Sequence, residues 1–71
     1  MKIYIRINSQ FGPVLKSLRE EKNLTQKDAA AVAGMLPKTV SALESGNLKC
    51  SIESYMKLLN AYGYVHVIEP I

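Results

Sequence analysis

A chain of 71 residues has room for one compact domain with a modest core, and domains of this size often gain stability by associating. Hydrophobic residues make up 48% and charged residues 21%, a balance that folds, which excludes an intrinsically disordered segment. Nine Lys and Arg against six Asp and Glu leave a formal charge of +3, which favours an anionic partner without specifying one.

Residues Lys2 to Ile7 alternate, with Ile3, Ile5 and Ile7 on one side and Tyr4 and Arg6 on the other, a period of two that predicts a short strand. The amino terminus lacks the apolar core and small-residue cleavage site of a signal peptide, and no run of eighteen apolar residues follows; the expectation is a cytoplasmic protein. From about Gln10 to Lys22, Phe11, Leu15 and Leu18 recur at helical spacing while Lys16, Arg19, Glu20 and Glu21 supply a polar face. Pro13 is compatible with that helix only inside its first turn.

Thr25 followed by Asp28 has capping-box form, and the small residues Ala29 to Ala33 continue as a second, short helix from about Gln26 to Gly34. Pro37 suits the first position of a third helix and Gly46 the left-handed residue that ends it, with Val40 and Leu43 facing inward. The segment Leu48 to Ile52 reads equally as loop or helix start. Ser51 can cap a fourth helix whose apolar stripe is Ile52, Tyr55, Met56 and Leu59, ending near Gly63. Tyr64 to Ile68 is a β-branched and aromatic run closed by Pro70, a second short strand.

The single cysteine, Cys50, allows no internal disulfide and no cysteine-clustered zinc site; it reads as a small apolar residue beside a loop. The lone histidine, His66, falls in the final strand as a solvent-facing residue, far in sequence from Cys50. Neither metal-ligand spacing nor a phosphate-binding Gly loop occurs, so no cofactor, no metal and no enzymatic activity are expected.

The central feature is the pair of short helices separated by Ala33, Gly34, Met35 and Leu36: Gly34 permits a sharp turn, and the small Ala30 lets the two helix backbones approach. That pattern predicts a helix-turn-helix, whose second helix enters the DNA major groove while its first crosses the phosphate backbone. The stretches Leu24-Thr25-Gln26-Lys27-Asp28-Ala29-Ala30, Ala33-Gly34 and Thr39-Val40-Ser41-Ala42-Leu43-Glu44-Ser45-Gly46 resemble the signature of the Xre/Cro-like repressor family, over about Phe11 to Tyr62. The closing segment Tyr64 to Ile68, with the leading strand, resembles HipB-type antitoxins, in which a strand pairing across the dimer replaces the usual fifth helix.

These resemblances imply a mainly α fold: a lambda-repressor-like helix-turn-helix bundle of four helices, one domain over residues 1–71, with short terminal β-strands that pair across a homodimer. They imply that Gln26 hydrogen-bonds a DNA phosphate at the amino end of the second helix. Lys38 opens the recognition helix and can donate to guanine, with Thr39 and Ser41 within reach of a phosphate or base. Family members often carry Gln, Arg or Asn where this chain has Leu36, Pro37 and Ala42, so contact with thymine methyls or shape readout takes a larger share of its specificity. Lys27, Asn47 and Lys49 flank the groove as phosphate contacts, and Arg19 and Glu44 occupy the positions of a structural salt bridge.

Tyr64, Val65, His66, Val67 and Ile68 form the expected dimerisation strand, since a second copy is the simplest cover for its unpaired N–H and C=O groups. The function so implied is a transcriptional repressor acting on its own operator, either as the antitoxin of a HipA-like kinase toxin or as a free-standing regulator. An interaction module that holds a toxin and binds DNA weakly is the competing class.

Overall fold

The computed structural model describes residues 2–47 and 49–70. Two of the helices, α2 and α4, begin where a side chain satisfies one of their first amides. Thr25 Oγ1 accepts from the Asp28 N–H at 3.0 Å and Asp28 Oδ2 accepts from the Thr25 N–H at 3.2 Å, both halves of a capping box that opens α2 (Gln26–Ala33). Ser51 Oγ accepts from the Ser54 N–H at 3.1 Å and starts α4 (Ile52–Ala61). Pro37 is the first residue of α3 (Pro37–Glu44), and Pro13 lies within the first turn of α1 (Phe11–Glu21). Before α1, a 3-10 turn at Asn8–Gln10 is held by the Gln10 carboxamide, which accepts from the Arg6 and Ile7 N–H groups.

All four helices stop on a left-handed residue: Asn23, Gly34, Gly46 and Gly63. In each case the next N–H turns back to a carbonyl in the last turn, Leu24 to Arg19, Met35 to Ala30, Asn47 to Ala42 and Tyr64 to Leu59, at 2.9–3.2 Å. Leu24, Met35 and Tyr64 then pack on the core, so three of these stops also turn the chain inward. At Asn23 the left-handed backbone falls on one of the few side chains that tolerate it.

The core comprises Leu15, Leu18, Ala29, Ala30, Val40, Leu43, Tyr55, Leu58, Leu59 and Tyr62. Ala29 and Ala30 are fully enclosed, which lets α2 sit against both α3 and α4. Gly12 does the same for α1: a Cβ there would fall on the Glu44 carbonyl oxygen and crowd the Gly46 amide. The α4 stripe differs from the expected one. Its buried members are Tyr55, Leu58 and Leu59, continued by Tyr62, whereas Met56 is only half-buried and Ile52, in the first turn, is 72% exposed. Leu58 completes an i, i+3, i+4, i+7 pattern centred on Leu59 rather than on Ile52. Residue 48 lies outside the described residues; Lys49 and Cys50 form a turn and bend, and the open reading of Leu48 to Ile52 ends where Ser51 caps and Ile52 begins α4.

The expected terminal strands are not formed within the single chain. Among the described residues neither 2–7 nor 64–68 forms a strand, and no backbone hydrogen bond joins the two segments. A strand is defined by the neighbour that exchanges hydrogen bonds with it, and within one chain these segments are separated by a groove of about 1000 Å³ floored by Phe11, Leu15, Leu18 and Leu59. They meet through side chains, with Lys2 Nζ 3.4 Å from Glu69 Oε1. His66 is exposed as expected, and it also touches Tyr55: its Nδ1 lies 3.1 Å from the Tyr55 hydroxyl, and its ring meets the Tyr55 ring edge-on. Tyr55 in turn stands edge-on to Phe11, with centroids 5.2 Å apart.

Tyr62, closing α4, is 1% exposed, and its hydroxyl has no hydrogen-bond partner among the described residues. Burial pushes this hydroxyl from 10.0 up to about 12, reinforced by the nearby Glu44 carboxylate and partly opposed by Arg19. Between those two values the unfolded chain gives up the proton while the folded chain keeps it, so the associated stability is present below pH 10 and is lost as pH rises towards 12. Tyr62→Phe removes an unsatisfied buried hydroxyl and is expected to leave stability at pH 7 unchanged or raised by up to about 1 kcal/mol, with a shallower alkaline loss. Urea denaturation at pH 7 and across pH 10–12 checks this; a clear loss at pH 7 would show that the hydroxyl is bonded.

Candidate nucleic-acid interface

The geometry of this region depends on Glu44, the last residue of α3. Its Oε2 accepts from Arg19 Nε at 2.6 Å, and its Oε1 accepts from Arg19 Nη2 at 3.1 Å and from Gln26 Nε2 at 3.2 Å. Arg19 uses its remaining reach to donate from Nη1 to the Leu24 carbonyl at 2.8 Å. One carboxylate thus joins the end of α1, the start of α2 and the end of α3. The two charged side chains are only 12% and 5% exposed, and the hydrogen bond to Glu44 holds the Arg19 guanidinium above its ordinary pKa against the opposing effect of burial. The salt bridge expected between Arg19 and Glu44 is therefore present and bidentate.

With its end fixed, α3 presents a sharply divided surface. Val40 and Leu43 are buried, while Pro37, Lys38 and Ser41 are exposed and Thr39 and Ala42 are half-buried. Lys38, Ser41 and Ser45 follow one another at intervals of three and four and so form one outward stripe. Ser45 closes it, its hydroxyl donating back to the Ser41 and Ala42 carbonyls at 3.0 and 3.1 Å. Past the helix, Asn47 Oδ1 accepts from the Lys49 N–H at 2.9 Å, so the asparagine side chain shapes the loop while the exposed Lys49 carries its charge.

Gln26 and Lys27 occupy the first turn of α2 as expected, but in different states. Lys27 is exposed, whereas Gln26 is half-buried with its amide nitrogen committed to Glu44. That link was not visible beforehand, although a glutamine at a helix start within reach of a buried carboxylate is a signal to look for. Of the expected dimerisation residues, Tyr64 packs on the core and His66 contacts Tyr55, while Val65, Val67 and Ile68 are exposed. Among the described residues no cluster of three His, Cys, Asp or Glu side chains is placed to hold a metal, and no helix is long and apolar enough to cross a membrane.

Two short helices joined by a left-handed Gly34, braced by a third and presenting one polar outward stripe, define a helix-turn-helix DNA-binding domain. The chain belongs to the Xre/lambda-repressor-like helix-turn-helix family, whose helix-turn-helix model matches residues 15–69. No curated protein matches it.

The bracing function of Arg19 and Glu44 is directly testable. Arg19→Ala and Glu44→Ala each leave a nearly buried charge without its partner and should each cost about 3–5 kcal/mol in urea denaturation. The double replacement Arg19→Met with Glu44→Leu should cost less than either single change, because neither charge is then stranded. Two single variants within about 0.5 kcal/mol of the parent would show that the pair does not brace the helices.

Proposed function

We propose that this protein is a sequence-specific transcriptional repressor, a DNA-binding protein and not an enzyme, that lays α3 in the major groove of an operator and binds it as a homodimer. The observation that carries the reading is the outward stripe of α3, where Lys38 and Ser41 are exposed on a helix whose other side is locked into the core by Val40 and Leu43. Lys38 donates to guanine O6 or N7 near the start of the helix; Thr39 and Ser41 contact base edges or sugar-phosphate. Gln26, oriented by Glu44, has a second amide hydrogen free for a phosphate at the α2 amino terminus, with Lys27, Asn47 and Lys49 adding contacts along the backbone.

Support for the dimer comes from the terminal segments, where Ile7 and Ile68 stay exposed and Ile3, Tyr4, Val65 and Val67 stay exposed along the groove. Apolar side chains on unpaired backbone are a template for strand pairing, and a second copy supplies the complementary edge. Two-fold symmetry then places the recognition helices about 34 Å apart and makes the operator palindromic. The narrower reading, an antitoxin that also restrains a HipA-like kinase, is supported by the resemblance of residues 64–68 to HipB-type proteins.

Selection from a random duplex library, followed by salt titration against scrambled DNA of equal length, tests the proposal. The selected site should bind at least about a thousandfold more tightly than the scrambled duplex at matched salt. Lys38→Ala should weaken binding by about 1–3 kcal/mol and relax preference at one guanine position, with the fold intact. Equal, weak binding to both duplexes would move the function to a protein partner.

A further inference from the structure

Among the described residues three α-helices, α2, α3 and α4, start from an extended cap residue, and they are not capped alike. Thr25 and Ser51 each place a hydroxyl oxygen on an amide of the following turn, at 3.0 and 3.1 Å. At α3 the cap residue is Leu36, with φ −81° and ψ 146° and no side-chain hydrogen bond. A polar residue at this position would stabilise the helix, and a leucine does not. Nor does Leu36 contribute to the interior: its side chain is 58% exposed and is not among those packed on the core. The side-chain capping present at α2 and α4 is thus absent at the helix start proposed to meet base edges, the kind of departure expected where function overrides stability.

The rest of α3 sharpens the point. Beyond Lys38 the α3 side chains proposed to reach the groove are Thr39, Ser41 and Ala42, none long enough for the bidentate hydrogen bonds by which Asn or Gln reads adenine. The feature that distinguishes an A·T pair to an apolar side chain is the thymine C5-methyl group, which projects into the major groove. Val32 and Ile52 are also exposed, but neither sits at the amino end of α3, and isolated surface apolar residues are ordinary.

We infer that Leu36 is a specificity-determining residue that selects thymine in the operator by packing its isobutyl group against the C5-methyl. The inference rests on α3 being the recognition helix, and its test separates the two. DNA is selected from a random duplex library, and each thymine of the selected site is replaced singly by deoxyuridine, which removes the methyl and leaves every hydrogen-bonding group in place. For the parent protein one such replacement per half-site should weaken binding about fourfold, the effect of one buried methyl group. For Leu36→Ser the same replacement should change binding by less than about 1.5-fold, while the salt slope matches that of the parent because no phosphate contact is touched. The same variant gains a capping hydroxyl and should melt a few degrees higher, so a loss of thymine preference cannot be ascribed to unfolding. Methyl-independent binding by the parent, or an equal methyl effect in Leu36→Ser, would overturn the assignment of Leu36 while leaving α3 as the reader. Failure to select any DNA above scrambled sequence would overturn both.

Discussion

The Glu44 carboxylate, almost entirely enclosed, accepts hydrogen bonds from Arg19 on α1 and from Gln26 on α2 while belonging to α3. In a domain with so little core, an interaction of this kind sets angles that apolar packing alone would leave loose. Hydrophobic contact is non-directional, and a bidentate guanidinium–carboxylate pair is not. The surrounding sequence accommodates it. Gly12 has no side chain, so α1 can approach the Glu44 backbone, and Ala29 and Ala30 let α2 sit close to its neighbours. Tyr62 closes the same region from α4 with a hydroxyl left unbonded among the described residues, a local weakness tolerated beside a strong ion pair.

The consequence for function is mechanical. On the proposed reading, a recognition helix of eight residues is useful only if its outward stripe is held in register with the α2 amino terminus. The Gln26–Glu44 hydrogen bond ties those two parts together, so the proposed phosphate contact at α2 and base contacts along α3 would be set by one carboxylate. In this account the same group that stabilises the fold orients the reading head, and stability and DNA recognition are coupled at Arg19, Gln26 and Glu44.

Helix boundaries were legible in the sequence to within a residue or so because the residues that start and stop helices act locally: Thr25 with Asp28, Pro37, Ser51, Gly34, Gly46 and Gly63 each operate on their own turn. Arg19 and Glu44 were legible through family resemblance, not through spacing, since 25 residues separate them. What could not be read depends on distant neighbours. The alternation in residues 2–7 and 64–68 is the pattern of a strand, yet whether such a segment becomes strand is decided by a partner edge that a single copy does not supply. Ile52 has the period of the α4 stripe but lies in its first turn, and Leu58 replaces it in the core. Gln26 was assigned to DNA from its place at a helix start; that its amide is shared with Glu44 follows only from the packing of α2 against α3.

The most direct test of the central claim is an amide chemical-shift map of the isotopically labelled protein titrated with its selected duplex. The account predicts that the largest changes fall on Gln26 and Lys27, on residues 38–42 of α3 with Leu36 and Ser45 at its ends, and on Asn47 and Lys49, with α4 and residues 64–68 little affected. Changes centred on α4 or on the terminal segments, with α3 unmoved, would contradict it.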